Sequence, residues 1–418
     1  MNLFLNRPVA FSAMVKPTGP LCNLNCTYCY YLEKQKLFQH ATNFRMEDDI
    51  LENFIKDYIQ SQQVPVVSFI WQGGEPCLLG IDYFRKIVKL QDKYAGEKKI
   101  ENSIQTNGTR LNDEWCQFFK YYNFLVGISI DGPEEIHNKF RIYKNGENTF
   151  TDVMHGIELL KKHNVDFNTL TVVNRYNSRY PLEIYNFLKL IGSGFIQFLP
   201  VVERCSDING SGLRLVNDSY KGEANVTEWS VLPEDYGNFL ITIFNQWVQT
   251  DVGKIFVQMF DVTLANWVGV NPGLCVFGET CGNAIAIEHN GDVFACDHYV
   301  YPEYYLGNIS KTSLIDMLSS DKQFEFGNHK LTSLPPECLN CDYRFACHGE
   351  CPKHRFEKSE NGEPGLNYLC KAYKMFFSYV HPFMQYMGDE LAAHRPPANI
   401  CLWIRSLDVK SRNKLFTK

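Results

Sequence analysis

No apolar stretch in the sequence approaches the ~18–20 residues that a helix needs to cross a bilayer, so no membrane-spanning segment is expected. The opening segment, MNLFLNRPVAFSAMVKP, lacks a basic start followed by a long apolar core, and Pro8 interrupts it. A cleaved secretion signal is therefore not expected, and the chain is assigned to the cytoplasm. Charge of one sign is also scarce. The 41 basic and 47 acidic side chains give a net charge of −6 with no long single-sign run, which argues against a nucleic-acid partner. The sequence has no internal repeat and no low-complexity segment, and its 45% hydrophobic content over 418 residues suffices for a sizeable core. Cysteine is plentiful. Fifteen thiols in a reducing compartment are poor candidates for disulfides, and their clustering points to metal ligation.

Extended and helical patterns alternate through the first half. Short apolar runs bounded by Gly, Asn or Pro predict strands over 11–16, 66–72, 100–106, 124–130, 167–173 and 195–201. Between them Ile50, Leu51, Phe54, Ile55, Tyr58 and Ile59 share one helical face, as do Trp115, Phe118, Phe119 and Tyr122 after the capping candidate Asn112. Six β-then-α units require right-handed crossovers and a parallel sheet, and so predict a partial (β/α)6 TIM-like barrel with its site at the C-terminal ends of the strands. The segment 203–225 reads as a break, and helices are expected near 234–248, 255–268 and 371–387. Residues 275–370 hold eight cysteines, many turn residues and few periodic runs, as where metal ligation substitutes for a hydrophobic core. The expected organisation is a barrel over 1–230, a helical linker over 231–270, a cysteine-rich domain over 271–375, and a C-terminal helix and tail over 376–418.

Three thiols lie within CNLNCTYCYY as C-x3-C-x2-C: Cys22, Cys26 and Cys29. A 4Fe–4S cluster usually takes four thiolates, so three leave one iron open to an outside chelator. Zinc is the alternative, since soft thiolates suit it too. The spacing, the position after the first strand and the aromatic Tyr28 beside the last thiol resemble the radical S-adenosylmethionine superfamily, whose hallmark is C-x3-C-x-aromatic-C. That resemblance implies S-adenosylmethionine on the open iron, cleaved by one electron to a 5′-deoxyadenosyl radical. Gly73, Gly74 and Glu75 of WQGGEP follow the second strand, where backbone can approach a small ligand closely; in the superfamily this motif holds the cofactor's amino group. By the same resemblance Ser129 of SIDGP and Arg141 are carboxylate contacts, and the backbone at Val202 in FLPVVE contacts adenine.

Eight later thiols, Cys275, Cys281, Cys296, Cys338, Cys341, Cys347, Cys351 and Cys370, are enough for two four-cysteine sites, with zinc ribbons as the alternative. Spacing alone does not divide them. They resemble the SPASM domain, which carries two auxiliary 4Fe–4S clusters with interleaved ligands. The resemblance implies Cys275, Cys281, Cys296 and Cys351 for one cluster and Cys338, Cys341, Cys347 and Cys370 for the other, hence three clusters in the whole chain.

Over nearly its whole length the sequence is similar to the anaerobic sulfatase-maturating enzymes, through CNLNCTYCYYLEK, QGGEP, QTNGT, SIDGP, NGDVFACDHYV, LGNI, FACHGECPKHRF and GEPGLNYLC. Those enzymes oxidise one Ser or Cys of a sulfatase polypeptide to Cα-formylglycine. The implied partners are a polypeptide with a C-x-P-x-R or S-x-P-x-R motif and a small electron donor such as flavodoxin or ferredoxin. The family's proton acceptor corresponds to Asp297, next to Cys296, where a base could stand beside an electron sink; the alternative is a carboxylate that only orients backbone. Gln72 and Tyr31 are possible substrate contacts by position in the family, and His298 is assigned a structural role. Cys77, Cys116, Cys205 and Cys401 fall outside every ligand set, Cys116 packing as a small hydrophobe. Another SPASM peptide modifier, such as a thioether-forming maturase, could use the same clusters. A non-catalytic electron carrier or zinc-stabilised interaction protein is the reading from a different class.

Overall fold

The computed structural model describes residues 8, 10–38, 43–207, 213–216, 220 and 222–416. Most of the opening segment read for a secretion signal, and part of the break over 203–225, lie outside the described residues. Six strands occur where the short apolar runs place them: β1 (Ser12–Lys16), β2 (Val66–Trp71), β3 (Lys99–Thr106), β4 (Leu125–Ser129), β5 (Phe167–Val173) and β6 (Phe195–Pro200). Helices α1 (Asp48–Ser61), α2 (Ile81–Tyr94), α3 (Asp113–Tyr121), α4 (Glu134–Asn138), α5 (Phe150–Lys162) and α6 (Pro181–Leu190) alternate with them. The Asn112 side chain accepts from the Trp115 amide at 2.9 Å, capping α3 as its sequence predicts. Three short strands, β7 (Arg204–Asp207), β8 (Leu213–Val216) and β9 (Asn225–Val226), pair antiparallel within the predicted break.

The chain divides into two compact units that do not follow chain order. The first takes the described residues up to Ile130, then His137–Asn168 and Thr280–His329. In it β1, β2, β3 and β4 run parallel, with Val66–Trp71 in register against Lys99–Ile104 and Ser103–Thr106 against Leu125–Ile128. Parallel neighbours need crossovers, and the helices supply them. Phe54, Phe69, Trp71 and Phe84 fill the interior beneath this sheet in edge-to-face and stacked contacts.

One expectation is corrected here. Ala284–Glu288, inside the stretch read as poor in core, forms a strand that pairs parallel with the whole of β1, from Ser12↔Ala284 to Lys16↔Glu288. Ile285, Ala286 and Ile287 are completely buried. A run of small and β-branched residues joins a sheet because each one covers core, whatever turn residues flank it. The strands Asp292–Phe294 and Tyr305–Asn308 extend the sheet antiparallel beyond it.

The second unit contains the described residues of Asp131–Ile136, Thr169–Glu279 and Lys330–Lys418. Here β5 pairs parallel with β6, and β6 with Phe256–Val257. The helix Pro233–Thr250 packs along Cys370–Ala392, where a Cβ on Gly237 would lie 3.2 Å from the Ala372 Cα, so the close approach needs glycine. Phe244, Trp247, Phe260, Phe376 and Phe383 fill the space between these helices and Gln258–Trp267. The tail, unread from sequence, forms two helices, Asn399–Ser406 and Val409–Phe416.

Candidate active site

The C-terminal ends of β1 to β4 carry the conspicuous polar groups of the first unit. The loop after β1 holds Cys22, Cys26 and Cys29, and backbone bonds fasten it to the stretch before α5: Asn25 N donates to the Ile142 carbonyl at 2.8 Å and Thr27 N to that of Phe140 at 3.1 Å. The Cys29 amide closes a turn onto the Cys26 carbonyl at 3.0 Å. Tyr28 is buried, its ring 5.8 Å from that of Phe140 and 5.6 Å from the Arg141 guanidinium carbon. The aromatic in the motif thus packs the loop against the segment that presents Arg141.

The Gly-Gly-Glu turn after β2 fits against this loop at main-chain distance. Gly74 N donates to the Gly19 carbonyl at 2.8 Å, and Glu75 N to that of Leu21 at 2.9 Å. A Cβ on Gly74 would lie 2.0 Å from the Leu21 carbonyl oxygen, and Gly73 has φ +123°, so both positions exclude other residues. Glu75 is fully buried and spends its carboxylate on the protein, accepting from the Cys77 amide at 2.9 Å, Thr106 Oγ1 at 2.8 Å and the Asn107 amide at 2.8 Å. Burial raises its pKa and the three donors oppose the rise. Its role here is to pin the end of β3 to the turn after β2. Asn107, from QTNGT, then reaches Cys22 Sγ at 3.8 Å and Asn23 Oδ1 at 2.9 Å. Ser129 accepts from Gln105 Nε2 at 3.0 Å at the end of β4.

The residues present suit an iron–sulfur group with a small polar ligand. Burial, and next the charge of Glu75, push the Cys22 thiol up to about 11, so ligation must displace its proton, as thiolate–metal bonding does. Burial also raises Cys29, against the charges of Arg141 and Lys16. Thr18 Oγ1 and Gln72 Oε1 are buried without a hydrogen-bond partner among the described residues, and a Cβ on Gly73 would lie 3.2 Å from that Thr18 oxygen. These are polar atoms awaiting a ligand beside a cradle that only glycine leaves open.

Asp297 lies in the same unit, next to Cys296. It forms an ion pair with Lys16 and accepts from the Tyr30 hydroxyl at 2.6 Å. Burial alone would raise its carboxyl, but the Lys16 and His298 charges and these hydrogen bonds bring it down to about 2. The Lys16 side chain is 1% exposed and also sits 3.9 Å from the centroid of the Tyr31 ring, whose hydroxyl donates to the buried Glu288. Lys16, Tyr30 and Glu288 went unrecognised in the sequence. Only a lysine closing an apolar strand, MVKP, hinted at a charge held indoors.

In the second unit Cys338, Cys341, Cys347 and Cys370 line one cavity, together with Gly349 and Tyr373. Burial pushes the Cys370 thiol up to about 12. Four thiols around one space fit an iron–sulfur core, which occupies the space between its ligands. Of the other four, Cys281 and Cys296 belong to the first unit, Cys275 and Cys351 to the second. Gln323 joins the Cys281 and Cys296 loops, Nε2 donating to the carbonyls of Gly282 at 2.7 Å and Ala295 at 3.2 Å. Val202 is buried in the second unit, just after β6. Cys77 and Cys116 are buried, and Cys77 Sγ lies 3.7 Å from Thr106 Oγ1, consistent with packing.

Residues 17–188 match the model of the radical SAM superfamily, and 275–342 that of an iron–sulfur cluster-binding domain, SPASM. The chain is 51% identical over 387 residues to a serine-type anaerobic sulfatase-maturating enzyme of Bacteroides thetaiotaomicron, covering 93% of each. It is 33% identical to a cysteine-type enzyme of Clostridium novyi over 92% of this chain and 98% of that one. The solved structure of native anSMEcpe with bound AdoMet and Cp18Cys peptide superposes with a TM-score of 0.79 at 32% identity, covering 91% of this chain and 99% of that one. The α/β fold with a parallel sheet is thus of the radical SAM type, with the SPASM segment toward the C-terminus. No helix among the described residues is long and apolar enough to cross a membrane.

Proposed function

The chain belongs to the anaerobic sulfatase-maturating enzymes, radical SAM proteins with a SPASM domain, and from that premise we propose that it oxidises a serine or cysteine of a sulfatase polypeptide to Cα-formylglycine. Serine is the preferred target on the strength of the 51% identical serine-type relative. The polypeptide presents an S-x-P-x-R or C-x-P-x-R motif, and a small flavodoxin or ferredoxin supplies reducing electrons. Three 4Fe–4S clusters serve the reaction: one on Cys22, Cys26 and Cys29, one on Cys275, Cys281, Cys296 and Cys351, and one on Cys338, Cys341, Cys347 and Cys370. The last set is supported by its shared cavity; the set through Cys275 rests on the family pattern.

When bound, the iron–sulfur groups and S-adenosylmethionine supply the radical that takes a hydrogen atom from Cβ and the acceptor for the electron that follows. The protein's part is placement and proton transfer. The main chain at Gly73 and Gly74 serves the cofactor's amino group, with Glu75 as its scaffold. Ser129 and Arg141 serve its carboxylate, Tyr28 shapes the cluster loop, and Val202 backs the adenine. Gln72 offers an unused oxygen to the substrate, and Tyr31 helps to hold the Lys16 charge in place.

The observation that carries the reading is the buried Asp297, ionised beside Lys16 and Tyr30 and directly following a cluster ligand. A serine that loses a hydrogen atom from Cβ still has to lose the hydroxyl proton and one electron to become an aldehyde. A carboxylate held at about 2 is ready to accept but weakly basic. Transfer to it is favourable only as the electron departs and the developing carbonyl makes the hydroxyl strongly acidic. Proton and electron then leave at the same place. The test is to incubate the reduced, anaerobically reconstituted protein and S-adenosylmethionine with serine- and cysteine-type peptides and weigh the products. The serine peptide should become lighter by two hydrogens, without a crosslink; a thioether link or an unaltered peptide refutes the reading.

A further inference from the structure

Beside the cavity of the second unit stands a charge that the reaction described above leaves unused. Cys347 and Cys351 are joined by His348, Gly349 and Glu350, which all have positive φ, 47°, 71° and 52°. L side chains resist this conformation, so His348 and Glu350, on either side of the permissive Gly349, need an outside hold. Arg355 provides it. A guanidinium has five N–H donors, and here each meets a neutral oxygen: Nε donates to the Gly349 carbonyl at 2.8 Å, Nη1 to the Lys330 carbonyl at 2.6 Å and Ser333 Oγ at 3.2 Å, Nη2 to the carbonyls of His348 at 2.9 Å and Glu350 at 3.2 Å. No carboxylate is among the five. The adjacent Glu350 carboxylate goes elsewhere, to His354 at 2.9 Å and Asn367 at 2.6 Å.

This cation stands behind the cavity wall at Gly349, while Glu337, Arg344 and Lys374 are the charged residues of the lining itself. Gly349 lines the cavity, and a Cβ on it would lie 2.7 Å from Arg355 Nη2. The negative charges that bear on the guanidinium are, in order, those of Cys338, Glu350, Cys351 and Cys347. A buried cation lies nearby: Lys330 is completely buried, and its ammonium donates to the carbonyls of Cys275, Val276 and Gly278. Positive charge partly withdrawn from water is stabilised by any anion that shares the space. An iron–sulfur core on four thiolates is such an anion, and each electron it takes up makes it more negative.

We propose that Arg355 is a positioning residue that sets the reduction potential of the iron–sulfur group held by Cys338, Cys341, Cys347 and Cys370, by fixing one positive charge behind the cavity wall. The proposal rests on the cluster assignment made above. A fixed cation behind a low-dielectric wall stabilises the reduced, more negative form and so raises the potential, without any bond forming or breaking. The same guanidinium fastens the turn that carries Cys351, a ligand in the other auxiliary set, so one side chain reaches both.

The test uses the full chain with Cys22, Cys26 and Cys29 replaced by Ala, which leaves only the auxiliary groups, and compares Arg355→Gln and Arg355→Lys after anaerobic reconstitution. Iron and sulfide are counted, and reduction by dithionite is followed by electron paramagnetic resonance at controlled potential, with no substrate and no S-adenosylmethionine. With full iron content, Arg355→Gln should make one signal harder to reduce by tenfold or more, which for a one-electron couple is 59 mV. Arg355→Lys, which keeps the charge, should retain most of the potential. The proposal is overturned if Arg355→Gln matches the parent, if Arg355→Lys falls as far as Arg355→Gln, or if both variants lose iron that the parent keeps, which makes Arg355 a structural tie only. A parent that holds zinc or no metal removes the cluster assignment itself, and the proposal with it.

Discussion

Replacing Asp297 with Asn removes one charge and leaves the shape of the site nearly unchanged. The amide oxygen can still accept from Tyr30, now 2.6 Å from the carboxylate. The loss falls on Lys16, whose side chain is 1% exposed and whose ion-pair partner among the described residues is Asp297. Removing one member of a buried pair costs about 3–5 kcal/mol. The Tyr31 ring, 3.9 Å from the ammonium, offsets ~1–2 kcal/mol of that, leaving a destabilisation of roughly 1–4 kcal/mol. A chain of ordinary stability, ~5–15 kcal/mol, survives this. Catalysis should not. Loss of a positioned base costs ~10²–10⁴-fold, while radical generation needs no proton transfer at this carboxylate. Measuring 5′-deoxyadenosine by chromatography and formylglycine by mass in the same time course should therefore show the first near the wild-type level and the second reduced ~10²–10⁴-fold. The double variant Lys16→Met with Asp297→Asn separates the base from the ion pair: it should regain stability without regaining formylglycine. Formylglycine formation at the wild-type rate in Asp297→Asn, or its recovery in the double variant, refutes the assignment of Asp297 as the base.

Gly74→Ala places a methyl 2.0 Å from the Leu21 carbonyl oxygen and must displace the three-cysteine loop; iron analysis should show a loss of about four atoms per chain, with the auxiliary signals retained. Tyr31→Phe leaves the buried Glu288 without its phenolic donor and should lower the unfolding free energy by ~1–3 kcal/mol in a denaturant titration, with an unchanged midpoint counting against the contact. Asp261 has burial as its sole perturbation, which pushes its carboxyl up to about 7. The unfolded chain sheds this proton near pH ~4 while the folded chain keeps it to about 7, so stability falls as pH rises across that window. Asp261→Asn should then be more stable than wild type by up to about 4 kcal/mol at pH 8, about three pKa units at ~1.4 kcal/mol each, a gain that vanishes by pH ~4; an equal gain at both pH values sinks the argument.

The readability of the sequence follows the range of each interaction. Strands β1 to β6 are short apolar runs closed by turn residues, so local pattern and final burial agree, and their observed bounds lie within a residue or two of the predicted ones. Cysteine spacing is equally local, because consecutive ligands on one loop must reach one inorganic core. The strand Ala284–Glu288 was obscured by the turn residues and thiols around it: five residues make too short a window for period to show. The tail helices carry Arg and Lys among their apolar positions and follow a proline pair, which masks a face that buries only Ile400 and Ile404.

The harder gap concerns the site's charges, and it has a physical cause. Asp297 could be found from its neighbour Cys296, but what governs its basicity is Lys16, on a strand from the other end of the chain. Nothing local pairs them. The parallel register Lys16↔Glu288 brings the second strand's exit beside the first, and the chain needs only the turn through Asp292–Phe294 to return Asp297 to the same ammonium. A lysine at the end of an apolar strand is tolerable only if the fold delivers an anion to it. Its presence in MVKP is therefore evidence for a distant acidic partner, although the sequence does not say which one. The strand pairing that builds the sheet and the ion pair that holds the base ionised are one constraint, and a slip of one residue between Ser12–Lys16 and Ala284–Glu288 would turn Glu288 to the opposite face and break the network at Tyr31.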